Sequence, residues 1–136
     1  SIRELAYICR EEGSPIGLLI VDYLQLLDAP KTIRERRQQV EHVSSGLKSI
    51  TTDFNIPIVA LSSLSRPQDE HALPTMRAFR ESGNIEPDVD TALILHSPDG
   101  ADADVRNLVI AKARDGSPGV MQLTFQRAYQ RFAEID

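Results

Sequence analysis

The sequence lacks the features that disulfide-rich, cysteine-ligated zinc, membrane-spanning and secreted proteins need. Its 136 residues include no tryptophan and one cysteine. The single cysteine, Cys9, excludes an internal disulfide framework and a cysteine-rich zinc site, and its place on an apolar stripe predicts a core position. No apolar run approaches the roughly 20 residues that span a bilayer, and the N-terminus lacks a signal-peptide pattern. We therefore expect a soluble, cytoplasmic protein without a membrane partner.

An excess of positive charge is also missing. The formal net charge is −5, which argues against a broadly basic surface that grips nucleic acid by releasing counterions. Any contact with DNA must therefore be local. The hydrophobic fraction of 41% and the charged fraction of 26% are ordinary for a soluble globular protein, and the length fits one domain or part of one.

The most informative segment is the apolar run Gly17–Val21, which is followed directly by Asp22. A run without polar side chains is typical of a parallel strand covered on both faces. In open α/β sheets, ligands bind at the carboxyl ends of the strands, where Asp22 would lie. The pattern therefore suggests a nucleotide site, although an aspartate at a strand end also serves as a turn or helix-capping residue.

Hydrophobic periodicity predicts an α/β fold with a mixed sheet. A helix ending near Glu12 precedes the Asp22 strand, and a long helix from about Arg34 to Phe54 connects it to a second strand in a right-handed β-α-β unit. A polar loop and a short helix follow, and then an antiparallel meander. The short helix is predicted at residues 76–79. The later strands are predicted at residues 57–62, 91–96, 106–112, 120–126 and 129–133.

Four motifs, in this order and spacing, carry a resemblance to a known family. They are Asp22-Tyr-Leu-Gln25, Ser62-Ser-Leu64-Ser-Arg66, Arg80-Glu-Ser-Gly83 and Lys112-Ala-Arg114. Together they resemble the C-terminal, RecA-like P-loop ATPase domain of the DnaB-type replicative DNA helicases. The resemblance covers essentially all of residues 1–136, from the helix before the Walker B segment to the final strands.

The resemblance implies an ATP and Mg2+ site at the first two motifs. Asp22 would hold Mg2+, directly or through water, because this metal needs hard oxygen ligands. Ser63 stands where the family usually has a glutamine that reports the γ-phosphate to the DNA-binding loops. Serine is shorter than glutamine, and Ser62 and Ser63 could also simply cap a strand end.

The resemblance also implies a contact with single-stranded DNA through Arg80, Glu81 and Gly83. Glycine lets the backbone approach the phosphates and arginine adds positive charge. Arg66 and Arg77 could extend a basic rim around this segment. The same residues could instead form a helix C-cap with a surface ion pair, since Gly83 suits that role too.

Lys112 and Arg114 alternate along a predicted strand, so both would project from one face. In the family this pair reaches into the nucleotide site of a neighbouring subunit as a trans-acting finger, which stabilises the charge on the transferring γ-phosphoryl group. The residues alone favour a solvated strand end beside the Asp115-Gly116 turn. The flanking match to the family favours the finger.

No Gly-x-x-x-x-Gly-Lys-Ser/Thr segment occurs in these residues, so the phosphate-cradling loop is absent from them. The glutamate that polarises water in the family also lies upstream of the matched region. We therefore expect part of a homohexameric helicase, with primase and a helicase loader as candidate partners, and we expect the isolated chain to be inactive. The alternatives are a non-catalytic helicase-derived binding module and another RecA-like ATPase.

Overall fold

The computed structural model describes residues 1–65, 72–82, 85–100 and 103–135, with only the backbone described for residues 80–82. The chain divides into two compact units. The first comprises Ser1–Leu64 with Glu81–Asp88, and the second comprises Ser65–Arg80 with Val89–Asp136. In the part of the chain just defined, no helix is both long and apolar enough to cross a membrane.

The first unit begins with helix α1, Ile2–Glu11. Ser1 caps it, since its hydroxyl accepts a hydrogen bond from the Glu4 backbone N–H, as helix N-caps commonly do. The apolar stripe predicted for this helix is Ile2, Leu5, Ala6, Ile8 and Cys9, and of these residues only Ala6 is buried. The predicted core position of Cys9 is wrong, because the residue is only partly buried.

Helix α2, Arg36–Phe54, contains most of the buried apolar side chains of the first unit. It begins two residues later than predicted and ends at Phe54 as predicted. Asn55 closes it in the left-handed conformation, with φ of 54°, a common way to end a helix. The apolar stripe predicted for this helix is Val40, Val43, Leu47, Ile50 and Phe54. The first four are buried and Phe54 is half-buried.

Two short strands flank α2 in the sequence and pair in parallel. They are β1, Leu19–Val21, and β2, Ile58–Ala60. Both are shorter than predicted, and a 3₁₀ helix that was not predicted, Leu24–Leu26, follows β1. This 3₁₀ helix contacts α2.

The prediction that the first strand is covered on both faces is wrong for this chain. Val21 is buried, whereas Ile20 is 63% exposed. Because side chains alternate between the faces of a strand, Leu18 and Ile20 share one face, and Val59 and Leu61 share the corresponding face of the paired strand. All four of these side chains are about half or more exposed. We call these four residues the exposed apolar face of the first unit.

The second unit contains the predicted antiparallel meander. Its four strands follow the order β3-β4-β5-β6, with each strand paired to the next. A 3₁₀ helix precedes the sheet and another connects the last two strands. These elements are the 3₁₀ helix Met76–Ser82, whose last two residues belong to the first unit, β3 Thr91–His96, β4 Val105–Ala113, β5 Gly119–Gln126, the 3₁₀ helix Arg127–Tyr129 and β6 Arg131–Glu134.

The core of the second unit lies on one face of β3 and β4. Ile94 and Val109 are cross-strand partners, and both are buried together with Ala92. The predicted parallel and antiparallel strands are therefore both confirmed. Among the described residues they form a two-stranded sheet and a four-stranded sheet, rather than one continuous mixed sheet.

Candidate functional site

The parallel pair β1–β2 brings two sequence motifs to one edge of the first sheet. Val21 lies opposite Ala60 in the register. Beyond that pair, the Leu61 N–H donates to the Val21 carbonyl over 2.9 Å, and the Leu24 N–H donates to the Leu61 carbonyl over 2.8 Å. Asp22 therefore leaves β1 at the same edge at which the residues after β2 leave the sheet, as the sequence predicted.

Asp22 is exposed at this edge, and the peptide bond that joins it to Tyr23 is cis. Among residues 1–65, 72–82, 85–100 and 103–135, no hydrogen bond or ion pair involves its carboxylate. Its oxygens are therefore available to a ligand. A single carboxylate suits Mg2+, which keeps several waters and is commonly held by one or two carboxylates with substrate phosphates.

Ser62 and Ser63 follow β2 and are linked to the loop after β1 by the side chain of Gln25. The Gln25 amide nitrogen donates to the Ser62 hydroxyl over 2.9 Å. The Ser63 backbone N–H donates to the Gln25 amide oxygen over 3.4 Å, and the Ser62 hydroxyl donates to the Ser63 carbonyl over 3.2 Å. Gln25 belongs to one of the four sequence motifs, but its contact with Ser62 and Ser63 was not predicted, because nothing near Gln25 in the sequence indicates it.

Lys112 and Arg114 lie in the second unit. The prediction that both belong to one strand is wrong, because β4 ends at Ala113 and Arg114 begins the turn that follows. The Arg114 backbone N–H donates to the Asp90 carbonyl over 2.8 Å. The Arg114 guanidinium also lies 3.0 Å from the Asp90 carboxylate. Asp90 therefore binds both the backbone and the side chain of Arg114, whereas Lys112 lies on the strand.

The residues predicted to contact DNA lie largely outside the described structure. The backbone of Arg80 and Glu81 belongs to the 3₁₀ helix Met76–Ser82, but their side chains are not described. Gly83 and Arg66 lie outside the described residues altogether. Arg77, on the same 3₁₀ helix, is exposed.

With this geometry established, comparison with known proteins identifies the family. The family described as "DnaB-like helicase C terminal domain" matches residues 1–134. The chain belongs to this family. Membership confirms the resemblance drawn from the four motifs, and it favours the helicase interpretation over another RecA-like ATPase.

Two curated replicative helicases illustrate the relationship. The chain is 36% identical to the replicative DNA helicase DnaB of Leifsonia xyli subsp. xyli, an alignment that covers 97% of this chain and 31% of that protein. It is 35% identical to the replicative DNA helicase DnaC of Bacillus subtilis, over 99% of this chain and 32% of that protein. The chain thus spans about a third of the length of these relatives.

Solved structures show the same fold. A DnaB-like replicative helicase, described together with its interactions with primase, aligns with a TM-score of 0.84 and 29% identity over 99% of this chain and 34% of its own. A second solved ATPase domain aligns with a TM-score of 0.81 over 98% of this chain and 49% of its own. The RecA-like fold class predicted from the sequence is therefore confirmed.

Proposed function

We propose that residues 1–136 form the C-terminal part of the ATPase domain of a replicative DNA helicase. The intact protein would couple ATP hydrolysis to movement along single-stranded DNA and to duplex unwinding, as a homohexameric ring in the cytoplasm. The observation that carries this proposal is the sheet edge at which Asp22 and Ser63 emerge from paired parallel strands. Family membership supports it independently.

Asp22 is the residue that would hold Mg2+ at this edge. The chemistry that Mg2+ would supply there is neutralisation of the negative charge that develops on the phosphates. The Asp22 carboxylate supplies a hard oxygen ligand, and no described residue competes for it. Ser63 would lie beside the nucleotide, where its short side chain limits any γ-phosphate sensing. Since residues 1–136 contain no phosphate loop, we propose that they do not hydrolyse ATP alone.

Lys112 and Arg114 are proposed as the trans-acting finger that completes the nucleotide site of a neighbouring subunit. Both are cationic, and Arg114 lies in an exposed turn. Arg80, Glu81 and Gly83 are proposed to contact single-stranded DNA. Primase is a proposed partner of the intact protein, since one structural relative is described with its interactions with primase. A helicase loader is proposed on the family resemblance alone.

The decisive experiment compares two aspartate variants of the intact helicase that carries this segment. Asp22→Asn removes the charge of the proposed metal ligand, and Asp28→Asn makes the same change at an exposed aspartate beyond the 3₁₀ helix. We expect Asp22→Asn to lower kcat for DNA-stimulated ATP hydrolysis by about 100-fold or more, with Asp28→Asn within about 2-fold of the unchanged protein.

Two results would contradict the proposal. If Asp22→Asn kept its activity, Asp22 would not be the metal ligand. If the unchanged intact protein showed no DNA-stimulated ATPase activity, the helicase assignment itself would be wrong, and the non-catalytic binding module would take its place.

Subunit mixing tests the finger. Lys112→Ala or Arg114→Ala should abolish ATPase activity in uniform rings. Mixing with Asp22→Asn subunits should restore part of it, because each variant then supplies what the other lacks. Arg131→Ala, an exposed arginine on β6, should have no effect. Absence of rescue would argue against action in trans.

The DNA contact is tested separately. Arg80→Ala should weaken the binding of single-stranded DNA measured by fluorescence anisotropy, and the loss should shrink at high salt because a phosphate contact is screened. Arg131→Ala again provides the control. If Arg80→Ala bound single-stranded DNA as tightly as Arg131→Ala does, the proposed role of Arg80 would be refuted.

A further inference from the structure

The side chain of Gln25 joins the two loops of the proposed nucleotide site. One end of its amide donates to the Ser62 hydroxyl, and the other end accepts the Ser63 backbone N–H. Ser62 and Ser63 lie 37 and 38 residues further along the chain. A single planar group therefore links the segment that follows Asp22 to the segment that follows β2.

The backbone of Gln25 is held as well. The Arg36 guanidinium, at the start of α2, donates a hydrogen bond to the Gln25 carbonyl. Gln25 also lies in the 3₁₀ helix Leu24–Leu26, whose first N–H donates to the Leu61 carbonyl. The amide therefore starts from a fixed backbone position, so its two side-chain hydrogen bonds can transmit a displacement of one loop to the other.

We infer that Gln25 is a positioning residue that couples the loop carrying Asp22 to the loop carrying Ser63. This inference rests on the proposed function, because the two loops bear the proposed metal ligand and the residue beside the nucleotide. Gln25 need not touch the nucleotide itself. Its role is to keep Asp22 and Ser63 in one relative arrangement, so that both respond to the same bound ligand.

The chemistry of glutamine explains why this residue type suits the position. Its amide offers donors at one end and an acceptor at the other, and both ends are used here. Methionine matches the length of glutamine but has no amide to fill both roles. Alanine substituted at Ser62 removes the hydrogen bond from the Gln25 amide and the bond from the Ser62 hydroxyl to the Ser63 carbonyl, but it leaves the Gln25 acceptor of the Ser63 N–H in place. Gln25→Met thus removes both of these hydrogen bonds of the Gln25 amide, and Ser62→Ala removes one of the two.

A matched control is available in the same unit. Gln39 lies on α2, and its amide donates to the Ile33 carbonyl over 2.8 Å in a similarly half-buried setting. Its amide oxygen accepts from Arg36 Nη1 over 3.2 Å, whereas the hydrogen bond from Arg36 to the Gln25 carbonyl is donated by Nη2 and does not involve Gln39. Gln39→Met thus makes the same chemical change, and it also breaks side-chain hydrogen bonds, but at the start of α2 and away from Ser62 and Ser63.

The experiment measures steady-state ATP hydrolysis, with and without single-stranded DNA, in the intact helicase. We expect Gln25→Met to lower kcat by about 10-fold with KM for ATP within about 2-fold, because the loss affects alignment more than binding. Ser62→Ala should fall between Gln25→Met and the unchanged protein, and Gln39→Met should match the unchanged protein. If Gln25→Met and Gln39→Met behave alike, the inference is wrong.

Amide hydrogen exchange gives a readout that does not depend on activity. In Gln25→Met the Ser63 N–H loses the Gln25 amide oxygen as an acceptor, and it should exchange about 10-fold faster. The Leu47 N–H within α2 should keep its rate, which also shows that the variant is folded. An unchanged Ser63 rate would overturn the inference. If the unchanged protein has no ATPase activity while Ser63 exchange still accelerates, the proposed function fails but the link between the loops stands.

Discussion

Substituting Ser44 with alanine tests how the segment after the proposed DNA-binding residues is held. Ser44 lies on α2 and is 7% exposed. Its hydroxyl donates to the Asp88 carboxylate over 2.7 Å, and the Ser45 hydroxyl donates to the same oxygen over 3.3 Å. Asp88 lies in the described segment that resumes at residue 85, shortly after Gly83 in the sequence. These hydrogen bonds fix that segment to α2.

The expected loss in the free energy of unfolding follows from the geometry of these hydrogen bonds. A hydrogen bond to a charged group contributes about 1.5–3 kcal/mol to the free energy of unfolding. Asp88 is only half-buried, so water replaces part of what is lost, and Ser45 still donates. Alanine also favours the helix over serine by a few tenths of a kcal/mol. We expect Ser44→Ala to lower the free energy of unfolding by about 1 kcal/mol.

Urea unfolding followed by far-UV circular dichroism measures this change, since the chain has no tryptophan for fluorescence. With a slope of about 2 kcal/mol/M, the midpoint should fall by about 0.5 M. Ser49→Ala is the matched control, because Ser49 lies on the exposed side of the same helix. A double-mutant cycle with Asp88→Ala should give a coupling of about 1 kcal/mol. Equal midpoints for Ser44→Ala and Ser49→Ala would refute the reasoning.

Three further predictions concern stability and association. Ile94→Ala should cost about 2–4 kcal/mol in urea unfolding because Ile94 is 2% exposed, whereas Leu93→Ala should cost less than about 1 kcal/mol because Leu93 is 53% exposed on the same strand. The isolated chain should self-associate in sedimentation velocity through the exposed apolar face of the first unit, and the double change Ile20→Ser with Val59→Ser should reduce this association. Asp90→Asn should change the free energy of unfolding by less than about 1 kcal/mol, because its ion pair with Arg114 is half-exposed; a larger loss would show that the pair is more than a surface contact.

Helix α2 and the strand ends were predictable because each depends on a local or periodic signal. The stripe from Val40 to Phe54 repeats at three- and four-residue steps, and the structure buries all of its members except Phe54, which is half-buried. The apolar run before Asp22 predicted a strand, and the ends of parallel strands meet at one edge by geometry alone. The position of Asp22 near the end of the second strand therefore followed from the sequence.

The contacts of Gln25 and the exposure of Ile20 could not be predicted for different reasons. The partners of Gln25 lie 37 and 38 residues away, and no periodicity links them. An apolar run shows that a strand can be buried on both faces, but it does not show whether other side chains among residues 1–136 pack against both faces. Likewise, Lys112 and Arg114 alternate in sequence, yet the turn that begins at Arg114 removes one of them from the strand.

The way in which Asp22 and Arg114 are held fits the different roles proposed for them. Asp22 follows a strand fixed by ladder hydrogen bonds, in a loop that Gln25 ties to its neighbour, as a metal ligand requires. The Arg114 guanidinium is 51% exposed and pairs with one carboxylate, a contact worth at most about 1 kcal/mol at such exposure. Breaking the ion pair so that the Arg114 guanidinium can bind another anion would therefore cost less free energy than corresponds to a tenfold ratio of the paired to the unpaired form. A fixed Asp22 and a weakly held Arg114 are what the proposed metal site and trans-acting finger each need.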